Sequence, residues 1–210
     1  MGIIQAPPAF RVRYCSALVV LATVLFVAGC HSIPPQDTKP LDTAGMTYDT
    51  IQQLKTLNIT APDIVQLSTA RQAGFSDASC IAVLQIYRGR NQAFDAGDEI
   101  AGLIRAQVGE DTIIELAKIN QLGLGAGELE AMRLAGLSDA ILLEVARHRA
   151  AGQPVLAGAS LANLKNAGVR ELTLLELVRR GVPDTQAAAI LTFRRHGATD
   201  TQNVSHFASL

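Results

Sequence analysis

The sequence contains no tryptophan, and its six phenylalanines and three tyrosines make up only 4% of 210 residues. This scarcity argues against a sugar-binding surface, which would stack aromatic rings on its ligand. A charge excess is also missing, because 18 Lys and Arg face 19 Asp and Glu. General nucleic-acid binders carry a strongly basic surface, so the charge balance disfavours that class.

Cysteine is sparse, and the positions of the three cysteines exclude an intramolecular disulfide from the finished protein. Cys15 and Cys30 belong to an N-terminal apolar segment, which leaves Cys80 alone in the remainder. Cys80 lies on a helical pattern beside Ile81, where a free cysteine behaves as a small buried hydrophobe. The four histidines are scattered, and no Cys/His pair has ligand spacing, so no metal site is predicted.

Catalytic motifs are missing as well. The "GLGAG" stretch at 123–127 lacks the spacing of a dinucleotide-binding loop, and Ser160 in "GASLA" is not part of a nucleophile elbow. The prediction is therefore a protein that is not an enzyme, with no catalytic residue and no cofactor.

An export signal is present at the N-terminus. Arg11 and Arg13 precede an uncharged run over 14–29 that ends in small residues, which is the order of a signal peptide. This run is shorter than the roughly 20 apolar residues that a spanning helix needs, so a permanent transmembrane helix is the second choice.

The run ends in Val27, Ala28, Gly29 and Cys30. This ending resembles the lipobox of bacterial lipoproteins, and the alternative is a plain signal peptide with a chance cysteine. The resemblance implies cleavage of residues 1–29, diacylglycerol on the Cys30 thiol and an acylated amino terminus, which together anchor a protein stably in a membrane. His31 rather than Asp follows the cysteine, which favours the periplasmic face of the outer membrane. Residues 30–45, with three prolines, are predicted to be a tether.

An internal duplication is predicted from the similar stretches "GFSD" at Gly74 and "GLSD" at Gly136. Counted from these glycines, Phe94 and Leu156 both lie 20 residues further on, and later apolar positions match after a one-residue gap. The predicted domain covers 46–197, with full units at about 74–121 and 136–180, a half unit at each end, an insertion at about 122–135 and a polar tail at 198–210.

Each segment of a unit has helical periodicity and none alternates like a strand. The prediction is an all-α fold of stacked helical hairpins, preceded by the cleaved signal peptide and the Pro-rich tether. A motif at three places is predicted to join two helices: a left-handed glycine ends one helix, Ser or Pro begins the next, and Asp faces its dipole. These residues are Gly74, Ser76 and Asp77; Gly136, Ser138 and Asp139; and Gly181, Pro183 and Asp184.

The stretches 74–121 and 136–181 are similar to tandem helix-hairpin-helix domains, through glycine joints, helices that end in Arg and a later "VG" turn at Val108 and Gly109. That family binds phosphate through backbone N–H groups freed by a G-x-G turn. Here Ser76, Ser138 or Pro183 replaces the second glycine, and an Asp follows each. The resemblance therefore implies paired hairpins and disfavours DNA binding.

The sequence thus predicts a lipid-anchored envelope protein whose helical domain is an interaction or scaffold module for a protein partner. The alternatives are an exported DNA-binding or secretion-system component and, third, an envelope enzyme. Leu122, Leu124 and the helix around Met132 are the candidate partner surface. Arginines late in the helices are predicted to complement helix dipoles, or else to form an anion-binding face. They are Arg88, Arg90, Arg147, Arg149, Arg179, Arg180, Arg194 and Arg195.

Overall fold

The computed structural model describes residues 37–123 and 125–207. Within these ranges every regular element is a helix and no strand occurs, which confirms the predicted all-α class. The predicted signal peptide and Leu124 lie outside the described residues.

Twelve α-helices and one 3-10 turn, at Asp184–Gln186, make up the described chain. The first six helices are α1 Lys39–Thr43, α2 Tyr48–Thr56, α3 Ala61–Gln72, α4 Asp77–Gly89, α5 Gly97–Arg105 and α6 Glu110–Lys118. The second six are α7 Ala126–Leu134, α8 Asp139–Ala150, α9 Gly158–Asn166, α10 Glu171–Arg179, α11 Ala187–Arg195 and α12 Asp200–Phe207.

The helices form two layers, because each helix packs against the second helix further along the chain. The odd-numbered helices α1 to α11 follow one another in one layer, and the even-numbered helices α2 to α12 do so in the other. Consecutive helices also touch across the layers. Each hairpin therefore adds one helix to each layer, which is the nearest-neighbour arrangement of helical repeat proteins.

A single apolar cluster runs from Leu41 to Phe207, and both layers contribute to it. Leu67 of α3 and Leu84 of α4 are fully buried, for example. Burying one such side chain stabilises the fold by about 1.5–3 kcal/mol, so the shared core is what holds the layers together.

In the described chain every helix that is followed by another ends in a residue with a positive φ, which reverses the chain. Seven of these eleven residues are glycines, and the others are Asn58, Asn91, Gln107 and Asn120. At ten of the joints in the described chain, the next N–H donates to the carbonyl five residues back, as in the Schellman motif. At Gly74, for example, the N–H of Phe75 donates to Ala70.

Three segments that were predicted to lie outside the repeat units contain helices. The tether contains α1, whose Leu41 is buried, because Pro40 fits the first turn of a helix. The predicted insertion is α7, a regular member of the odd layer that packs against α5 and α9. The predicted polar tail contains α12, where Phe207 joins the core.

Candidate functional site

The predicted lipid-attachment site, Val27 to Cys30, lies outside the described residues and stays a prediction. In the described part of the chain, no helix is both long and apolar enough to cross a membrane.

The three predicted joint motifs all lie between helices, but they differ in their caps. Gly74, Gly136 and Gly181 have φ values of 105°, 81° and 67°. Ser76 accepts a hydrogen bond from the N–H of Ser79, as an N-cap should. Ser138 precedes α8 without such a bond. Pro183 precedes the 3-10 turn rather than an α-helix.

The acidic residues of the joints bind the neighbouring hairpin, which the sequence did not indicate. Asp77 Oδ2 accepts the N–H of Thr47 at 2.9 Å, and Asp139 Oδ2 accepts the N–H of Gly109 at 2.7 Å. Each carboxylate thus caps the helix that lies beside its own in the even layer. In the odd layer, Asp184 Oδ1 accepts the N–H of Ala157 at 2.8 Å.

Two glutamates extend this series. Glu110 accepts the N–H of Ser76 at 3.0 Å, and Glu171 accepts that of Ser138 at 2.8 Å. We call Asp77, Glu110, Asp139 and Glu171 the carboxylate ladder. Sequence reasoning missed the glutamates because it required glycine and Asp, whereas a broader pattern of turn residue, apolar residue, any residue and acid includes all four.

The ladder contacts shift the pKa of several of its members. Burial acts to raise the pKa of Asp77 and of Glu110, but hydrogen bonds from Thr47 and from Ser76 outweigh it and hold both below their ordinary values. The hydroxyl of Ser138 lowers the pKa of Glu171 in the same way. Hydrogen bonds to a charged carboxylate favour that form, so Asp77, Glu110 and Glu171 are ionised at neutral pH.

Arginines on the odd layer bind neighbouring hairpins through main-chain carbonyls. Arg133 donates to the carbonyl of Gln107, two helices back, at 3.1 Å and to that of Leu137, after its own helix, at 3.1 Å. It also pairs with Asp139 at 3.5 Å. The same three kinds of contact recur for Arg71 with Gly45, Phe75 and Asp77, and for Arg194 with Gly168, Ala198 and Asp200.

Several arginines of the predicted clusters are likewise engaged within the fold. Arg88 pairs with the buried Asp63, Arg90 donates to the carbonyl of Ala117 at 2.8 Å, and Arg149 pairs with Glu128 at 2.6 Å. These guanidinium groups satisfy neighbouring helix ends and carboxylates, so they do not form one open cationic face.

The predicted partner surface is wrong at two of its residues. Leu122 is only 6% exposed and Met132 only 1%, because α7 is packed between α5 and α9. The same helix does expose Leu134, and the other exposed large apolar side chains of the described chain are Tyr48, Val65 and Leu172.

A cavity of about 460 Å³ opens between the loop after α4 and the loop after α6. Its polar lining includes Tyr87, Asp95 and Glu99, together with the side chains of Gln92 and Asn120. No sequence motif marked these residues as a site. The acidic stretch from Asp95 to Glu99 has no basic residue within it, which is the signal that could have drawn attention to the site.

Tyr87 is buried in the wall of this cavity and Glu99 is half-buried, whereas Asp95 is exposed. Tyr87 is 5% exposed, and its ring packs edge-on against Phe94 with centroids 5.2 Å apart. Burial raises the pKa of Tyr87 to about 12, and the charges of Asp95 and Glu99 add to the effect. The Oε2 atom of Glu99 is buried and has no hydrogen-bond partner in the described chain.

The described residues bring no group of three or more His, Cys, Asp or Glu side chains together as a metal site. The polar groups of the described chain therefore offer two candidate sites. One is the set of joint contacts, which recurs along the fold and binds hairpin to hairpin, and the other is the acidic cavity beside Tyr87. No protein-family model matches the chain, no curated protein matches it significantly, and no solved structure does either.

Proposed function

We propose that the protein is a lipid-anchored envelope module whose helical array binds a protein partner. The lipobox resemblance at Cys30 supports the anchor. The observation that supports a binding module is the stacking of alternate helices in two layers. Stacked hairpins form an extended, rigid surface, and repeat proteins use such surfaces to bind other proteins.

The joint contacts favour a protein partner over a nucleic acid. The N–H groups of Ser76, Gly109 and Ser138, which helix-hairpin-helix domains would offer to phosphate, already donate to carboxylates of the ladder. These carboxylates would also repel a phosphate backbone. We expect no DNA gel shift even at low salt, and a shift that weakens steeply with rising salt would instead support the nucleic-acid alternative.

The anchor is tested by metabolic labelling with a radioactive fatty acid, followed by fractionation of bacteria that express the full chain. The wild type is expected to be labelled and to sediment with membranes, whereas Cys30→Ser is expected to be unlabelled. Cys80→Ala is the matched control, because it removes the other cysteine outside the signal and leaves Cys30 in place. Labelling of Cys30→Ser, or none of the wild type, would contradict the lipid anchor.

The binding surface is tested by two paired substitutions, one in each layer. Tyr48→Glu with Leu172→Glu changes the even layer, and Val65→Glu with Leu134→Glu changes the odd layer, at side chains that are 58–80% exposed. After cross-linking in envelopes, the protein is captured together with its bound partner. We expect one pair of substitutions to abolish capture of the partner and the other pair to leave it unchanged. Each pair therefore serves as the control for the other. Capture that is unaffected by both pairs would contradict binding on the helical layers.

A further inference from the structure

Each carboxylate of the ladder accepts a hydrogen bond from a neighbouring hairpin, whereas the acidic side chains of the cavity beside Tyr87 accept none from the described residues. Asp95 and Glu99 form no ion pair with any described residue, and Glu99 Oε2 is buried without a hydrogen bond. A buried polar group left without a partner costs free energy, and native proteins satisfy nearly all such groups. This oxygen therefore points to a ligand that supplies a donor.

Tyr87 is a second group that points to a ligand. Only 5% of this residue is exposed, and its hydroxyl forms no hydrogen bond with another described residue. It lines the cavity together with Asp95 and Glu99. Three oxygen-bearing groups thus converge on one space.

The nearest cation does not fill this role. Arg90 acts on Tyr87 electrostatically, but its guanidinium donates to Ala117 and Lys118 at the end of α6 and to Asn120 in the loop that follows. Neither carboxylate of the cavity therefore has a cationic partner among the described residues.

The dimensions of the cavity favour an organic cation over a metal ion. About 460 Å³ is far larger than a bare ion needs and lies in the range of small-molecule sites. Ala93, Ala96 and Leu122 add apolar wall beside the carboxylates, which suits a short aliphatic stem. A primary ammonium has three N–H donors, which match the three converging oxygen-bearing groups.

We propose that the cavity binds a primary alkylammonium group, with its charge between Asp95 and Glu99 and its stem against Ala93, Ala96 and Leu122. This inference is independent of the lipid anchor. The ammonium could come from a free aliphatic amine or from the lysine side chain of a polypeptide, and the chemistry of recognition is the same.

The test is calorimetric titration of the full chain in detergent with n-butylamine at neutral pH, where the amine is charged. 1-Pentanol is the neutral control with a similar stem, and butylguanidine tests the shape of the head group. We expect saturable binding of the amine, weaker binding of the guanidine and none of the alcohol. Binding of the alcohol as strong as that of the amine, or tighter binding of the guanidine, would overturn the assignment.

Two isosteric variants identify the site. Glu99→Gln is expected to weaken amine binding at least tenfold, and Tyr87→Phe to weaken it about threefold, because each loses one acceptor. Glu130→Gln on α7 is the control, since Glu130 is partly buried and lies outside the cavity. Equal affinity of Glu99→Gln and Glu130→Gln would overturn the site.

A stability measurement separates binding from misfolding. Because Glu99→Gln breaks no hydrogen bond with a described residue, it is expected to leave the Tm of the unliganded protein within about 2 °C of the wild type while abolishing the stabilisation by n-butylamine. A Tm lowered by more than this in the absence of amine would show that Glu99 is a structural group and would overturn the proposal.

Titration with Nα-acetyl-lysine amide distinguishes the two sources of the ammonium. Binding at least as tight as that of n-butylamine supports a lysine on a polypeptide, and exclusion of the amide supports a free amine. Saturable binding of Ca²⁺ or Mg²⁺ in place of any amine would overturn the proposal in favour of a metal site.

Discussion

Asp63 illustrates how a single buried carboxylate connects three parts of this fold. It is fully buried, accepts the N–H of Thr60 at 2.7 Å and of Phe94 at 3.1 Å, and pairs with Arg88. Burial acts to raise the pKa of Asp63, but the hydrogen bonds from Thr60 and Phe94 prevail and lower it.

We expect Asp63→Ala to lower the free energy of unfolding by about 3–5 kcal/mol, because it leaves Arg88 and two N–H groups without their acceptor. Urea unfolding followed by circular dichroism measures the loss. Asp111→Ala removes an exposed carboxylate from the first turn of α6 and is expected to cost about 1 kcal/mol at most. Similar losses in the two variants would contradict the structural role of Asp63.

Cys80 is a fully buried free thiol, which confirms the predicted burial. Burial raises the pKa of Cys80 to about 12, helped by the charge of Asp77. Since only the thiolate reacts with alkylating agents, roughly one thiol in 10,000 is reactive at pH 8. We expect iodoacetamide to modify Cys80 in urea but not in the native protein, as mass spectrometry would show. Rapid modification of the native protein would indicate that α4 opens locally.

At the scale of the element, the joint residue sets the cost of ending each helix. Gln107 has a φ of 64°, a conformation that a side chain disfavours and glycine adopts freely. Gln107→Gly is expected to raise the free energy of unfolding by about 0.5–1 kcal/mol, and the carbonyl that accepts from Arg133 is retained. Chemical denaturation measures the change.

The control for this prediction is Ala151→Gly, at an exposed helix end with a φ of −84°. There glycine brings no relief of strain and only adds freedom to the unfolded chain, so we expect a loss of stability. Stabilisation by both variants, or by neither, would contradict strain at Gln107.

The joints also show how far the sequence predicted the elements. Helical periodicity and the glycines at 74, 136 and 181 were sufficient to place helices on both sides of each joint, because glycine is the usual residue at this position. Asn58, Asn91, Gln107 and Asn120 take the same conformation without glycine, so joints at these positions were invisible to a motif that required one. The short helix α1 was missed for a different reason, since five residues that include a proline give no measurable period.

At the scale of the whole described unit, the ladder makes stability depend on pH. The pKa values of Asp77, Glu110 and Glu171 are lower in the folded protein than in the unfolded chain. Their contribution is therefore present above the ordinary carboxyl pKa of about 4 and is lost as the pH falls through the lower folded values. We expect the free energy of unfolding to be nearly constant from pH 7 to 5 and to fall below about pH 4.

The variant that combines Asp77→Asn, Glu110→Gln and Glu171→Gln tests whether these three carboxylates cause the loss of stability in acid. It is expected to be less stable than the wild type at pH 7 and to show a shallower decline in acid. Urea unfolding at pH 7, 5 and 3.5 would reveal the difference. An unchanged decline in the triple variant would place the acid sensitivity in other groups.

The arrangement of the whole unit was only partly accessible from the sequence. The offset of 62 residues between Gly74 and Gly136 spans the four helices α4 to α7, so it covers two hairpins. The sequence prediction treated this span as one unit followed by an insertion. It therefore did not include the regular alternation of the two layers. Contacts between residues 26 or 30 positions apart, such as Arg133 with Gln107 or Asp139 with Gly109, depend on how hairpins stack, and periodicity within one helix carries no information about them.

Each ladder carboxylate caps the helix of the preceding hairpin, so the series has a direction. The last described helix of the even layer, α12, therefore needs another source for its cap. Thr199, at the start of α12, has that source within its own hairpin: its N–H donates to Oε1 of Gln202 at 2.8 Å. Gln202 in turn donates its N–H to the hydroxyl of Thr199 at 3.3 Å. The start of α12 is thus capped from within its own helix, whereas α2, α4, α6 and α8 each receive a carboxylate from the next helix of the even layer, so the first turn of α12 is complete without a further hairpin.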